Sequence, residues 1–232
     1  MLRNLLLVGL LAGMFTGTLL TVLQSFSVLP IIQQAEQYEG TANRTAGPDA
    51  SHVHEEAAME WQPAEGIERL AFTWLANLAI GAGFGLMMAG LMTLCRPRTL
   101  SEAFIFGVGG FYVFFVAPVL LLPPELPGAD SHDLLGRQVT WLFTVASSLA
   151  GLCILAWSSP HGKRLLGFVV LCSPFLLFSR HEINYADPVP PALIERFAWM
   201  TGLTNLLFWI ALGLVVHWLW KRWMQTPGHP LL

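Results

Sequence analysis

Long apolar stretches alternate with short polar segments along this chain, at about 4–31, 68–94, 101–122, 138–158, 164–180 and 194–220. Each stretch is continuously apolar instead of alternating, so each predicts a helix and not a barrel strand. A helix of about 20 residues crosses the roughly 30 Å of bilayer hydrocarbon, and the stretches approach or exceed that length. The fifth is the shortest and contains Pro174. The expected fold class is all-α: a polytopic integral membrane bundle of about six transmembrane helices. It forms one transmembrane domain over residues 1–232, with an outer polar loop at about 33–66. The first stretch has only Arg3 as a basic lead and stays apolar to about Pro30, longer than the core of a usual secretion signal. It is read as a retained anchor and first span.

Charge sets the expected direction. Arg3, Arg96, Arg98, Lys163, Arg164, Lys221 and Arg222 all flank short loops or termini on one side, and they are more than half of the 12 Lys and Arg residues. The positive-inside rule makes that side cytoplasmic, so both termini are expected inside. Every acid except Glu102 falls on the other side, where a negative mouth concentrates cations. Charged residues are only 12% of the chain, about half the share in a soluble domain. The net charge of -3 and the lack of a dense basic cluster argue against a nucleic-acid partner. Cys95, Cys153 and Cys172 are scattered and give neither a disulfide framework nor C-x-x-C spacing. Nothing resembles a nucleotide loop or a serine or cysteine catalytic arrangement, so an enzyme is not expected, nor is a tightly bound cofactor.

Two spans open alike, with PAEGIERLA from Pro63 and PALIERFA from Pro191, and DLLGRQVTW from Asp133 is a weaker echo. The echoes predict three hairpins in parallel orientation, a known way to build a transporter. Glu68 and Glu195 sit at helix N-termini, where exposed amides favour an anion; interfacial anchoring and site lining are both open to them. Asn77, Asn205 and Gln24 lie deeper and are read first as polar glue between helices. Gly9, Gly13 and Gly17, then Gly81 and Gly85, and the Ser147–Gly151 pair have the small-residue spacing that lets helix backbones approach.

The candidate metal ligands lie on the acidic side. Glu36 and Glu39 are three apart, and HVHEE brings His52 and His54 together with two acids. Carboxylate and imidazole donors suit a borderline divalent ion, although the i, i+4 histidine pair of H-E-x-x-H is missing. Pro118 should kink the third span, Pro123 and Pro124 should end it, and Pro127-Gly128 should turn the chain. That places Glu125 on a stiff elbow at the membrane surface. His132 follows it, and His181 comes from a later loop on the same side. The expected metal set is Glu125, Glu68, Glu195, Glu36, Glu39, His52, His54, His132 and His181. His217 stands beside Trp218 and Trp220 near the end of the last span and is read as part of an interfacial belt.

The segments QQAEQYEG, WQPAEGIER, APVLLLPPELPG, DLLGRQ and VPPALIERFA resemble the bacterial CbtA family of predicted cobalt transporter subunits, over nearly the whole chain. The resemblance implies a membrane component of a divalent cation transporter, with Co²⁺ the first expectation and Ni²⁺ or another divalent cation the next. It also implies a small one-span, histidine-rich partner subunit of the CbtB type. Leu121 stands where the family pattern has glycine, and Pro174-Phe175 where it has proline and histidine. A non-transporting membrane scaffold or assembly factor is the alternative function.

Overall fold

A computed structural model describes residues 2–45, 63–64, 66–127, 129, 133–157, 161–183, 185 and 189–224. The described residues are helical except for connections and one isolated antiparallel bridge, Ala129 to Tyr185. Helices α1 (Leu2–Ser27) and α2 (Leu29–Thr45) are followed by α3 (Ile67–Cys95). Helix α4 (Leu100–Phe111) runs through a π turn (Tyr112–Val116) into α5 (Ala117–Leu121). Then come α6 (Leu134–Trp157), α7 (His161–Leu177) and α8 (Pro191–Met224). Five spans are long and apolar enough to cross a membrane: Leu2–Ser27, Ile67–Cys95, Leu100–Leu121, Leu134–Trp157 and Pro191–Trp223. The fifth expected stretch forms α7, whose 17 residues give about 25 Å of helix, at the short edge of spanning length.

The first expected stretch does not continue to residue 31 as one helix. It breaks at Val28, and α2 begins within it and continues through residues expected to be loop. Pro30 has no amide hydrogen and suits the first turn of a new helix. Ser25 and Ser27 bond back to the carbonyls of Thr21 and Leu23, a habit that bends helices. Helix α2 is anchored by Val28, Ile31 and Ala35, all buried at helical spacing.

Helices α1 and α3 are antiparallel, with their backbones nearly touching. A Cβ on Gly13 would fall within the contact shell of the Gly81 carbonyl oxygen, and one on Gly17 within that of Asn77. The same device joins α4 to α8, where a Cβ on Gly213 would stand 2.6 Å from the Ala103 carbonyl oxygen. A third pair, α6 and α7, meets at Gly151 and Gly167. Small residues allow this approach, and dispersion and carbonyl contacts then replace side-chain packing. One end of the bundle therefore gathers the start of α1, the end of α3, the start of α4 and the end of α8. That is the end bearing Arg3, Arg96, Arg98, Lys221 and Arg222.

The core lies along these contacts. Trp209 is 1% exposed and stacks on Phe114 with ring centroids 5.2 Å apart, while Phe84 leans on it at 4.7 Å. Phe114 belongs to the π turn. Pro118 cannot donate a backbone hydrogen bond, and the ladder upstream of it widens: the Ala117 amide bonds Tyr112 five residues back. The expected proline distortion is thus a π turn, which swings the following ring positions.

Asn77 holds α1 to α3. Its amide donates to Thr21 Oγ1 at 3.0 Å and to Gln24 Oε1 at 2.7 Å. Asn205 instead donates to the Thr201 carbonyl of its own helix. The two echoed asparagines thus play different roles, one bridging helices and the other bonding within one. Asn77→Ala is expected to cost about 1 kcal/mol, the scale of hydrogen bonds between helices in bilayers. Adding Gln24→Ala should cost little more, because both substitutions remove one shared bond. Denaturant titration of the single and double variants in micelles checks this.

Candidate metal-entry site

The stretch from Pro123 to Pro127 is fixed on both sides. Leu126 is 2% exposed and packs among Val28, Ile31, Val189, Leu193 and Phe197. Its amide donates to the Tyr185 hydroxyl at 3.3 Å. The His181 amide donates to the Leu121 carbonyl at 2.7 Å, tying the segment after α7 to the end of α5. Two adjacent prolines restrict the backbone between these anchors. With Leu126 held in the core, Glu125 meets Arg137 of α6 and His181.

Arg137 Nη2 lies 2.9 Å from Glu125 Oε2, and His181 Nε2 lies 3.8 Å from Glu125 Oε1. The Glu125 side chain is 13% exposed, so the ion pair is shielded more than a surface pair and attracts more strongly. His181 Nε2 is buried without a hydrogen-bond partner among the described residues. Arg137 and His181 border a cavity of about 540 Å³ between the first turns of α6 and the segment after α7, lined also by Leu122, Asp133, Thr140 and Phe178 among others. Asp133 caps α6, accepting from the Gly136 amide at 2.9 Å. The arrangement presents one carboxylate, one imidazole nitrogen without a hydrogen-bond partner among the described residues, and a guanidinium that neutralises the carboxylate.

The other expected ligands are placed separately. Glu36 is gripped by both terminal nitrogens of Arg69, a fork geometry that fixes α2 against the start of α3. Glu68 turns back to accept from the Ala64 amide at 3.2 Å, satisfying a backbone donor at a helix start. Glu195 is exposed on the first turns of α8. Glu39 lies on α2. His52, His54 and His132 lie outside the described residues, as does the side chain of Glu39. Among the described residues no three His, Cys, Asp or Glu side chains gather at ligating range.

Sequence reasoning singled out Glu125 and His181, and Arg137 through the family resemblance, but did not pair the guanidinium with the elbow carboxylate. Arg137 was visible in the DLLGRQ segment, yet nothing in its spacing tied it to Glu125, 12 residues away. His217 departs from its expected place. It is 1% exposed and faces the core, so the interfacial-belt reading is wrong for it. Periodicity carried that signal: His217 is eight residues after the buried Trp209 and one after the buried Val216.

Residues 2–221 match the family model described as "Probable cobalt transporter subunit (CbtA)". No curated protein and no solved structure matches the chain.

Proposed function

We propose, from the premise that this chain belongs to the CbtA family of transporter subunits, that it is the membrane-spanning component of a cobalt uptake system. The observation that carries the reading is the Glu125 carboxylate, mostly buried and placed between the Arg137 guanidinium and a His181 ring nitrogen that has no hydrogen-bond partner among the described residues. The family is one of transporter subunits and not of enzymes. The basic end of the bundle faces the cytoplasm, with both termini, and the acid-bearing end faces out of a bacterial inner membrane.

In this reading the outer acids, including Glu195, raise the local concentration of cations. Co²⁺ then exchanges for the Arg137 guanidinium on Glu125 and takes His181 as a second donor. Water, His132, His52 and His54, or Glu39 of α2 would complete its shell. Glu36 and Glu68, engaged by Arg69 and the Ala64 amide, position the helix starts and add to the field. Ni²⁺ or another divalent cation would be accepted by the same donors. A divalent ion moving inward gains about 4.6 kcal/mol per 100 mV, from about 2.3 per elementary charge, so the membrane potential suffices as a driving force. A small histidine-rich subunit with one span would deliver ions to the outer face.

One observation favours a scaffold instead: Glu36 and Glu68 each have their own partner, and no third ligand joins Glu125 and His181 among the described residues. Uptake of radioactive Co²⁺ decides between the readings. It is measured in metal-starved cells lacking their own cobalt importers, with this chain alone and with the small subunit. Accumulation above empty cells at matched membrane abundance is the expected result. No accumulation in either arrangement, with folded protein in the membrane, would overturn the transport reading.

A further inference from the structure

His217 is a buried ionisable side chain that the outer site does not use. It is 1% exposed, and its Nε2 has no hydrogen-bond partner among the described residues. It lies four residues after Gly213, on the same face of α8, and Gly213 rests against the α4 backbone at Ala103. That face continues towards the start of α4, where Glu102 is fixed. The Glu102 amide donates to Thr99 Oγ1 at 3.2 Å, and its Oε2 accepts from the Arg98 amide at 2.7 Å, a reciprocal cap. The buried cluster that α8 shares with α1 and α3 includes the neighbouring Val216 and Leu219 together with Met88 and Met92.

Packing alone does not explain an imidazole here. A buried polar atom left unpaired costs about 1–3 kcal/mol, and an apolar ring would avoid that cost. An ionisable residue within a membrane span is a mark of an ion pathway. His217 stands one turn, about 6 Å, inside Lys221 at the basic end, and Glu102 is the one acid placed at that end by the charge pattern.

We propose that His217 is an inner transit ligand for a borderline divalent cation, with Glu102 drawing the ion out towards the cytoplasm. With the proton on Nδ1, Nε2 presents a lone pair that suits Co²⁺, Ni²⁺ or Zn²⁺. Mg²⁺ and Ca²⁺ prefer oxygen donors, so the histidine discriminates against the abundant hard cations. The inference rests on the transport reading, and adds a second station at the opposite end of the bundle from Glu125.

The test uses the full chain purified in micelles, with binding of radioactive Co²⁺ followed by equilibrium dialysis and uptake followed in cells. His217→Phe fills the space with an apolar ring, and His217→Gln keeps a polar group but is a poor ligand; whichever retains the wild-type melting behaviour is compared with Glu125→Gln. Wild type should hold two Co²⁺ at saturation and each variant one. The His217 variant should lose at least tenfold in maximal uptake with little change in KM, and excess Mg²⁺ should not displace its Co²⁺ from wild type. A folded His217 variant that binds and transports Co²⁺ like wild type overturns the inference and leaves the transport reading intact. Wild type that imports no Co²⁺, yet loses one bound ion on His217 substitution, overturns the transport reading and leaves the inner site standing.

Discussion

Leucine in place of Gly81 leaves no folded protein to purify. The Gly81 Cβ position already coincides with the contact shell of the Gly13 carbonyl oxygen on α1. That neighbour is backbone, which cannot rotate aside as a side chain can. Either the two helices separate over their whole crossing or the new side chain has no room. Separation would also break the Asn77 bonds to Thr21 and Gln24 and pull Val8 and Ala12 away from Met88 and Ala89 in the shared core. Ordinary overpacking costs about 1–3 kcal/mol; here the clash is rigid and the losses are cooperative, so the expected cost exceeds that range. Gly83 supplies the control, because a Cβ there meets nothing within 4 Å. Gly83→Leu should give protein with wild-type elution on size exclusion, while Gly81→Leu should aggregate or be degraded. Equal yields of the two variants would show that α1 and α3 do not depend on this approach.

What was legible in the sequence follows from which interactions are local. The apolar runs reveal helices because burial in lipid requires every backbone group to be satisfied within the segment. The small-residue spacing of Gly9, Gly13 and Gly17 and of Gly81 and Gly85 was legible for a similar reason, because it is itself the contact surface, although that the two sets face each other came from the structure. The break at Val28 was missed because the run remains apolar through it; a proline at the start of a helix looks the same whether it begins a span or a bend. Arg137 beside Glu125 was missed because an ion pair between two segments leaves no periodic trace in either.

The repeated Ile-Glu-Arg entrances show where pattern and role separate. In α3, Arg69 grips Glu36 because α2 lies alongside, whereas Arg196 of α8 is exposed. The same residues serve different ends because their neighbours differ. His217 makes the opposite point. Its tryptophan neighbours pointed to the membrane interface, but the helical period places it on the Trp209 face. Local composition and periodicity disagreed, and burial followed periodicity.

Glu125→Gln and Arg137→Gln should move the KM for Co²⁺ uptake in opposite directions. In the resting structure the guanidinium occupies the carboxylate at 2.9 Å, and a cation must displace it. Without Arg137 that competition ends, and KM should fall about three- to tenfold, the effect of about 0.7–1.4 kcal/mol. The pair is about one quarter exposed on the arginine side, which keeps the gain below that of a fully buried pair. Removing the Glu125 charge instead takes away the proposed ligand, and KM should rise at least tenfold. The double variant should resemble Glu125→Gln, because Arg137 acts only through that carboxylate. Initial rates of radioactive Co²⁺ uptake over a range of concentrations, at matched membrane abundance, read all three values. If both single variants raise KM to the same extent, the pair is a strut holding α6 against the elbow, and Glu125 is not where the ion enters.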